Sequence, residues 1–200
     1  MRNLLICFFV EIFRVSVLAL WYASGWRVKG DLPDLDKYIL VAVPHTTNWD
    51  YIHMIAMAFY FRRKPSTLVK AEVFDWFLLG SFVRWIGGIP ITRGRSENAV
   101  QTAIEIVKSR RRITLVITPE GTRRKTDHWK SGFYHIAQGA NIPIVLGYLD
   151  YKNKRGGGGV VMHVSGDVDA DLEKIRAYYA NNGHGKYEEN RGEIRFRSTT

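Results

Sequence analysis

A histidine and an aspartate five positions apart, His45 and Asp50, are the side chains of this sequence best suited to chemistry. His45 follows an apolar run and a proline, and Asp50 falls where a helix is predicted to begin. A carboxylate beside an imidazole fixes its tautomer and stabilises the imidazolium formed when the outer nitrogen takes a proton. The pair therefore predicts a general base that works near neutral pH. The structural alternative is a capping or core histidine next to a helix-start acid.

The predicted elements place this pair at the end of a buried strand. Residues 38–43 form a continuous apolar run, which is typical of a strand inside an α/β sheet. Residues 113–117 repeat the arrangement, because Pro119 and the polar segment 120–123 follow them. Loops beyond such strand ends usually carry chemistry.

The rest of the chain alternates between helix and strand patterns, which predicts one α/β domain. Helices are predicted over 51–61, 72–85, 96–110, 128–140 and 169–181. Further strands are predicted at 66–69, within 87–94, at 142–150 and at 160–164. Residues 152–159 are expected to form a basic hairpin loop whose glycines are flexible spacing. Residues 183–200 are polar and are expected to be irregular or loosely attached.

Composition and charge indicate a globular protein with anionic partners. The chain has 200 residues, enough for one domain with a substantial core, and 46% of them are apolar, which excludes a disordered chain. Its single cysteine, Cys7, excludes a disulfide framework within the chain and agrees with a reducing compartment. The net charge of +10 favours nucleic acid, an anionic membrane surface or phosphorylated substrates. No aromatic-basic RNA-binding signature is visible, so we expect no nucleic-acid partner.

The apolar residues 4–22 are nearly long enough to cross a bilayer. Glu11 and Arg14 lie in the middle of this segment, where charges are costly in a membrane. We therefore predict a helix that lies in the membrane interface, while a helix packed on the core and a transmembrane span are the alternatives. Three aromatic residues at its end are expected at the level of the lipid headgroups: Trp21, Tyr22 and Trp26.

A second apolar segment, 72–86, is rich in aromatic residues. Its pattern fits a helix around Gly80. So many large aromatic side chains either pack into a core or face lipid. Core packing is the commoner case, and it is our expectation here.

Several enzyme classes lack their sequence signatures. There is no G-x-S-x-G nucleophile elbow, no H-E-x-x-H zinc helix and no C-x-x-C pair. His45, Asp50 and His53 have the residue types of a metal site, but His53 falls on an apolar helix as a core or surface histidine would. We therefore predict no metal site.

Four short motifs, in order, resemble those of the PlsC-like glycerolipid acyltransferase family. They are His45-x4-Asp50, Gly88-Ile89-Pro90-Ile91-Thr92-Arg93, Pro119-Glu120-Gly121-Thr122-Arg123 and Ile142-Pro143-Ile144-Val145. Each motif is weak alone, but the four at sensible intervals within residues 38–150 make a strong signal. The resemblance implies an α/β fold with a mixed central sheet flanked by helices. An acyltransferase domain at 27–200 would follow a membrane-associating helix at 1–26.

The resemblance also implies a reaction. An acyl group would pass from a thioester, acyl-CoA or acyl carrier protein, to the hydroxyl of a lysophospholipid such as lysophosphatidic acid. His45 resembles the family's general base, Asp50 its orienting carboxylate, and Lys70 a lysine close enough to stabilise an oxyanion. The residues that resemble acceptor-binding positions are Arg93, Glu120, Gly121, Thr122 and Arg123. We expect no resident cofactor or metal. The basic composition and the segment 4–22 would keep the enzyme at an anionic membrane, on its cytoplasmic face.

The first motif departs from the family pattern at three positions. Pro44 precedes the histidine where many members have asparagine, Thr47 stands where serine is common, and Trp49 precedes the aspartate. These departures concern the acceptor more than the chemistry. Two rival functions stay open: a thioesterase that uses the same dyad with water as the acceptor, and a non-catalytic basic membrane-binding protein of the same fold.

Overall fold

A seven-stranded mixed sheet flanked by helices forms the centre of the computed structural model, which describes residues 2–91 and 96–197. In chain order the strands are β1 (Arg27–Val28), β2 (Lys37–Val43), β3 (Pro65–Lys70), β4 (Gly88–Ile91), β5 (Ile113–Ile117), β6 (Ile144–Asp150) and β7 (Arg155–Met162). Their order across the sheet is β1-β7-β6-β2-β5-β3-β4. Strands β2 to β6 run parallel to one another, β7 runs antiparallel to β6, and β1 runs parallel to β7. The predicted mixed α/β fold is confirmed.

In the described part of the chain, six α-helices and two short 3-10 helices precede, connect and follow the strands. The α-helices are α1 (Arg2–Ala23), α2 (Trp49–Tyr60), α3 (Phe77–Trp85), α4 (Ser96–Ser109), α5 (Gly132–Ala140) and α6 (Val168–Ala180). The 3-10 helices span Ala71–Asp75 and Glu188–Asn190. Strand β5 has the predicted bounds, and β2 begins one residue earlier than predicted.

The helices divide between the two faces of the sheet. Residues Ile39 and Val41 of β2 belong to the main core, which also contains Ala103 of α4, Phe133 of α5 and Ile175 of α6. Helices α2 and α3 lie on the opposite face, as right-handed crossovers from β2 to β3 and from β3 to β4 require. Helix α1 packs on α2. The sheet is therefore covered by α1, α2 and α3 on one face and by α4, α5 and α6 on the other.

The glycine-rich segment 152–159 does not form a flexible hairpin loop, because β7 begins at Arg155 and includes its glycines. A Cβ atom on Gly157 would come within 1.9 Å of the Lys29 carbonyl oxygen, and one on Gly159 within 2.1 Å of the Tyr178 hydroxyl. The glycines therefore let neighbouring chain segments approach the strand closely. The expectation of flexible spacing is wrong for this reason.

Trp21, near the end of α1, and Trp26, just after it, are buried in the protein. The prediction that they lie at the level of the lipid headgroups is wrong. Trp21 and Trp26 are 5% and 6% exposed. The Trp21 indole donates a 2.9 Å hydrogen bond to Nδ1 of His53 on α2, and the Trp26 ring stacks on the same imidazole at 3.8 Å. Tyr22 is half-buried beside them. A buried acceptor for the indole N–H lets these aromatic side chains enter the core.

Among the described residues, no helix has both the length and the apolar character needed to cross a membrane. The expectation of core packing for the second apolar segment is wrong. The segment 72–86 forms the 3-10 helix Ala71–Asp75 and then α3, and most of its large side chains are exposed and not packed in a core.

Candidate functional site

The loops after β2 and β5 meet at one edge of the sheet, because these strands are parallel neighbours. Val41 of β2 lies opposite Ile117 of β5, so residues 44–50 and 118–123 emerge side by side. This is the edge at which open α/β sheets bind ligands. The guanidinium of Arg123 donates a hydrogen bond to the Asn48 side-chain oxygen, which joins the two loops directly.

The start of α2 turns the Asp50 carboxylate back towards the loop. The helix begins at Trp49, which puts Asp50 in its first turn. Oδ2 of Asp50 lies 3.1 Å from Nδ1 of His45, and it accepts backbone hydrogen bonds from Thr46 at 2.9 Å and Thr47 at 3.0 Å. The carboxylate thus fixes both the imidazole and the loop that carries it.

A tyrosine that follows the neighbouring parallel strand β6, at the same edge of the sheet, completes the surroundings of this carboxylate. The Tyr151 hydroxyl, just beyond β6, donates a 2.6 Å hydrogen bond to Oδ1 of Asp50. Burial by itself would raise the pKa of the Asp50 carboxyl, but hydrogen bonds from His45, Tyr151 and Thr47 hold that pKa below its ordinary value. The aspartate is therefore ionised at neutral pH and accepts a hydrogen bond from the Nδ1–H group of His45. This leaves Nε2 of the ring free to accept a proton.

Glu120 is buried at the same edge and is 3% exposed. Its Oε2 accepts a 2.6 Å hydrogen bond from the backbone N–H of His45, and its Oε1 accepts one of 3.3 Å from the backbone N–H of Gly192. Burial raises the pKa of this carboxyl, and the two amide hydrogen bonds oppose the rise. Both carboxylate oxygens of this predicted acceptor-binding residue thus accept hydrogen bonds from within the protein.

The rest of the third motif forms an exposed turn. Gly121 has φ +63°, a left-handed conformation that favours glycine, and its N–H donates to the Thr118 carbonyl at 3.0 Å. Thr122 and Arg123 are exposed next to it. The guanidinium of Arg123 contacts the His45 loop directly, through its hydrogen bond to Asn48.

Two predicted site residues lie further from this cluster or outside the described residues. Lys70 ends β3 at the same edge, two strands from β2, and is exposed. In the part of the chain that the structure describes, it makes no hydrogen bond with His45, Asp50 or Glu120. Arg93 lies outside the described residues.

The segment 183–192 is irregular, as expected, but it is firmly attached and not loose. The Thr46 hydroxyl oxygen accepts hydrogen bonds from the backbone N–H groups of Lys186 at 3.1 Å and Tyr187 at 3.4 Å. The Arg191 guanidinium donates to the Tyr179 carbonyl at 2.8 Å, and the Gly192 amide donates to Glu120. These contacts fix the segment across the loops that carry His45 and Glu120.

His53 is a core histidine, as one of the sequence-based interpretations expected. Its Nδ1 accepts the Trp21 indole proton, and burial is the main cause that lowers its pKa to about 4. The nearby Asp50 opposes this shift, and Lys186 adds to it. Among the described residues no three histidine, cysteine, aspartate or glutamate side chains are grouped so that they could hold a metal ion.

An open cleft of roughly 1540 Å³ lies over this edge of the sheet. His45, Thr122 and Arg123 contribute polar atoms to its wall, while Leu40 and Met54 belong to its apolar part. A histidine whose Nδ1 proton is held by an ionised carboxylate, placed beside an open cleft, can remove a proton from a bound hydroxyl or water.

Three comparisons with known proteins agree with one another. A family model described as Acyltransferase matches residues 27–146. A 1-acyl-sn-glycerol-3-phosphate acyltransferase from Cocos nucifera is 32% identical over 84 residues, which are 40% of this chain and 27% of the relative. The chain thus matches about a quarter of that relative's length.

The third comparison concerns the fold. The crystal structure of the 1-acyl-sn-glycerophosphate (LPA) acyltransferase PlsC from Thermotoga maritima superposes with a TM-score of 0.58 and 18% identity. The match covers 83% of this chain and 76% of that one. At this identity the likeness shows a shared arrangement of strands and helices.

Proposed function

Because the chain belongs to the acyltransferase family, we propose that it transfers an acyl group from a thioester to the hydroxyl of a lysophospholipid such as lysophosphatidic acid. One observation carries the proposal: the His45 imidazole is held by an ionised Asp50 at the wall of an open cleft. The named activities of the coconut and Thermotoga relatives agree with this acceptor class.

The proposed reaction is a direct displacement at the thioester carbonyl. Nε2 of His45 removes the proton from the acceptor hydroxyl as its oxygen attacks the carbonyl carbon. The tetrahedral intermediate collapses, the carbon–sulfur bond breaks, and the departing thiolate takes the proton back from the imidazolium. Asp50 stabilises the imidazolium in between. No acyl-enzyme and no resident cofactor is needed in this sequence of steps.

We assign the remaining predicted residues to binding and positioning. Arg123 is exposed at the cleft, and a guanidinium suits a phosphate group on the acceptor. Lys70 and Arg93 stay proposals for oxyanion stabilisation and phosphate binding respectively. For Glu120 we propose a positioning role, since its carboxylate holds the His45 amide in place.

We further propose that the protein works on an anionic membrane, on the cytoplasmic face, as part of phospholipid synthesis. The net charge of +10 and the exposed apolar side chains of α1 support this setting. The donor is acyl-CoA or acyl carrier protein, either of which presents the required thioester.

The test is thiol release from acyl-CoA or acyl carrier protein on vesicles, with and without lysophosphatidic acid. We expect release that depends on the acceptor and is lost in His45→Ala, while His163→Ala, at an exposed histidine outside the cleft, keeps full activity. Equal release without acceptor would replace the proposal by a thioesterase. Full turnover in folded His45→Ala would refute the assigned base.

A further inference from the structure

Helix α3 and the residue before it expose an unusual density of large apolar side chains. Phe77 is 91% exposed and Leu78 is 79% exposed, whereas a monomeric soluble protein rarely leaves such a patch in water. The full set of exposed residues, called the α3 ridge below, is Trp76, Phe77, Leu78, Leu79, Phe82 and Trp85.

The ridge is exposed because only small side chains of α3 face the protein. Gly80 lies so close to the 3-10 helix before it that a Cβ atom would come within 2.3 Å of the Phe74 carbonyl oxygen. Val83 is the other buried residue of α3, and it packs on the start of β4. A Cβ atom on Gly88 of β4 would come within 2.4 Å of a methyl group of Val83. The helix therefore lies flat on β4 with its large side chains directed outward.

Exposed apolar side chains are concentrated on one face of the molecule. Helices α1, α2 and α3 share a face of the sheet, and each exposes several large apolar residues, for example Phe9, Ile52 and Phe77. Among the described residues of α4, α5 and α6, on the other face, no large apolar side chain is exposed. An apolar surface spread over three helices on one side suits an extended flat partner better than a compact one.

The composition of the ridge favours a lipid leaflet as that partner. Trp76 and Trp85 stand at its two ends, and tryptophan is enriched where a protein meets the headgroup layer. The only charge in α3 is Arg84, whose guanidinium lies 5.1 Å from the Phe74 ring centre. The exposed acids Glu72 and Asp75 and the exposed Lys70 lie before the helix, and the whole chain carries a net charge of +10.

We propose that the α3 ridge inserts into an anionic phospholipid leaflet as a second membrane contact, separate from α1. A nine-residue helix is too short to span a bilayer, so α3 lies in the plane of the interface. It begins at the edge where β3 ends, the edge at which the cleft opens, and insertion brings that opening to the lipid surface. The inference rests on the proposed action at a membrane, and it adds the element that orients the cleft.

The first experiment measures binding without donor or acceptor, so its failure is separate from any failure of the proposed reaction. Wild type, the double variant Phe77→Ser/Leu78→Ser and the control Val160→Ser/Val161→Ser are sedimented with phosphatidylcholine vesicles that contain phosphatidylglycerol. The control removes two exposed valines of β7, which do not belong to the α3 ridge. We expect the ridge variant to partition about tenfold more weakly, because two large exposed apolar side chains lose their lipid contact. Equal partitioning of all three proteins overturns the proposal.

The second experiment reports insertion directly and uses the single cysteine of the chain. In a Cys7→Ser background, an environment-sensitive fluorophore is attached at Phe77→Cys or, as the control, at Ala177→Cys on the exposed side of α6. The label at position 77 should shift to the blue and gain intensity with vesicles, while the label at 177 stays unchanged. A label at 77 that responds to protein concentration without vesicles would indicate a second copy of the chain as the partner, and it overturns the lipid assignment.

A third measurement separates orientation from chemistry. The Phe77→Ser/Leu78→Ser variant should keep wild-type thiol release with a lysolipid supplied in detergent micelles and lose it on vesicles. Loss in both settings would overturn the separation of ridge and catalytic machinery.

Discussion

The Tyr151 hydroxyl donates a 2.6 Å hydrogen bond to Oδ1 of Asp50, the carboxylate oxygen that His45 does not use. The two oxygens thus have different partners: Oδ2 holds the imidazole and two backbone amides, and Oδ1 holds the phenol. Tyr151 also packs against the rings of Trp26 and His53, at centroid distances of 5.0 and 5.2 Å. The orientation of Asp50 therefore depends on Tyr151, whose ring is held by Trp26, just after α1, and by His53 of α2.

Removing the Tyr151 hydroxyl should slow the reaction without weakening substrate binding. In Tyr151→Phe, Oδ1 loses a hydrogen bond to a charged acceptor, a contact worth about 1.5–3 kcal/mol, so we expect kcat to fall about tenfold with little change in KM. The lost bond also raises the pKa of Asp50, so the acid limb of the pH profile moves to higher pH. The control is Tyr60→Phe, at an exposed tyrosine of α2. An unchanged pH profile together with reduced kcat would indicate a merely structural effect.

Replacing Glu120 should lower kcat and loosen the attachment of the segment 183–192, while the affinity for the acceptor stays unchanged. In Glu120→Gln one oxygen becomes an NH2 group that faces a backbone N–H, so the hydrogen bond to either His45 or Gly192 is lost. We expect a stability loss of about 1–3 kcal/mol, faster proteolysis within 183–192 and a lower kcat. The measurements are urea unfolding, limited proteolysis and steady-state kinetics. A raised KM for the acceptor with unchanged proteolysis would instead support direct acceptor binding.

The free energy of unfolding should fall as the pH is lowered from about 6.5 towards 4, because His53 is buried as the neutral imidazole. Its pKa is about 4 in the folded protein, against 6.5 for an ordinary histidine, so the unfolded chain binds the proton more tightly. The stabilisation is complete above about pH 6.5 and is lost as the pH falls towards 4, at most about 1.4 kcal/mol per pH unit. We expect His53→Gln to weaken this dependence, since glutamine still offers an oxygen to the Trp21 indole but does not titrate. Urea unfolding across this pH range tests it, with His135→Gln, at an exposed histidine, as the control.

A methyl group on Gly157 should destabilise the fold, because its Cβ would come within 1.9 Å of the Lys29 carbonyl oxygen. The backbone has to move to relieve the overlap, at a cost of about 1–3 kcal/mol or more for Gly157→Ala. The matched control is Gly132→Ala, whose Cβ would find its nearest neighbour, a methyl of Val100, at 3.8 Å. Urea midpoints should fall for the first variant only. Equal midpoints would contradict the close approach at β7.

The sequence alone was sufficient for the local parts of the site and for the layers of the fold. His45 and Asp50 lie within one strand-to-helix turn, so their spacing by itself predicts the contact now seen at 3.1 Å. The apolar runs of β2 and β5 each precede a proline and polar residues, and parallel pairing then places both loops at one edge. Short-range geometry and hydrophobic periodicity carry this information without any knowledge of distant residues.

The tertiary structure decided which partners complete the site. Tyr151 lies 101 positions from Asp50, and Gly192 lies 72 positions from Glu120, so no local pattern indicates either hydrogen bond. The apolar residues of α1 and α3 also read alike in sequence, yet Trp21 is buried and Phe77 is exposed. The physical reason is that hydrophobic periodicity shows which side chains avoid water, but it does not show which other surface covers them. The imidazole of His53 accepts a hydrogen bond from the Trp21 indole and so allows that side chain to be buried, whereas Phe77 is 91% exposed to solvent.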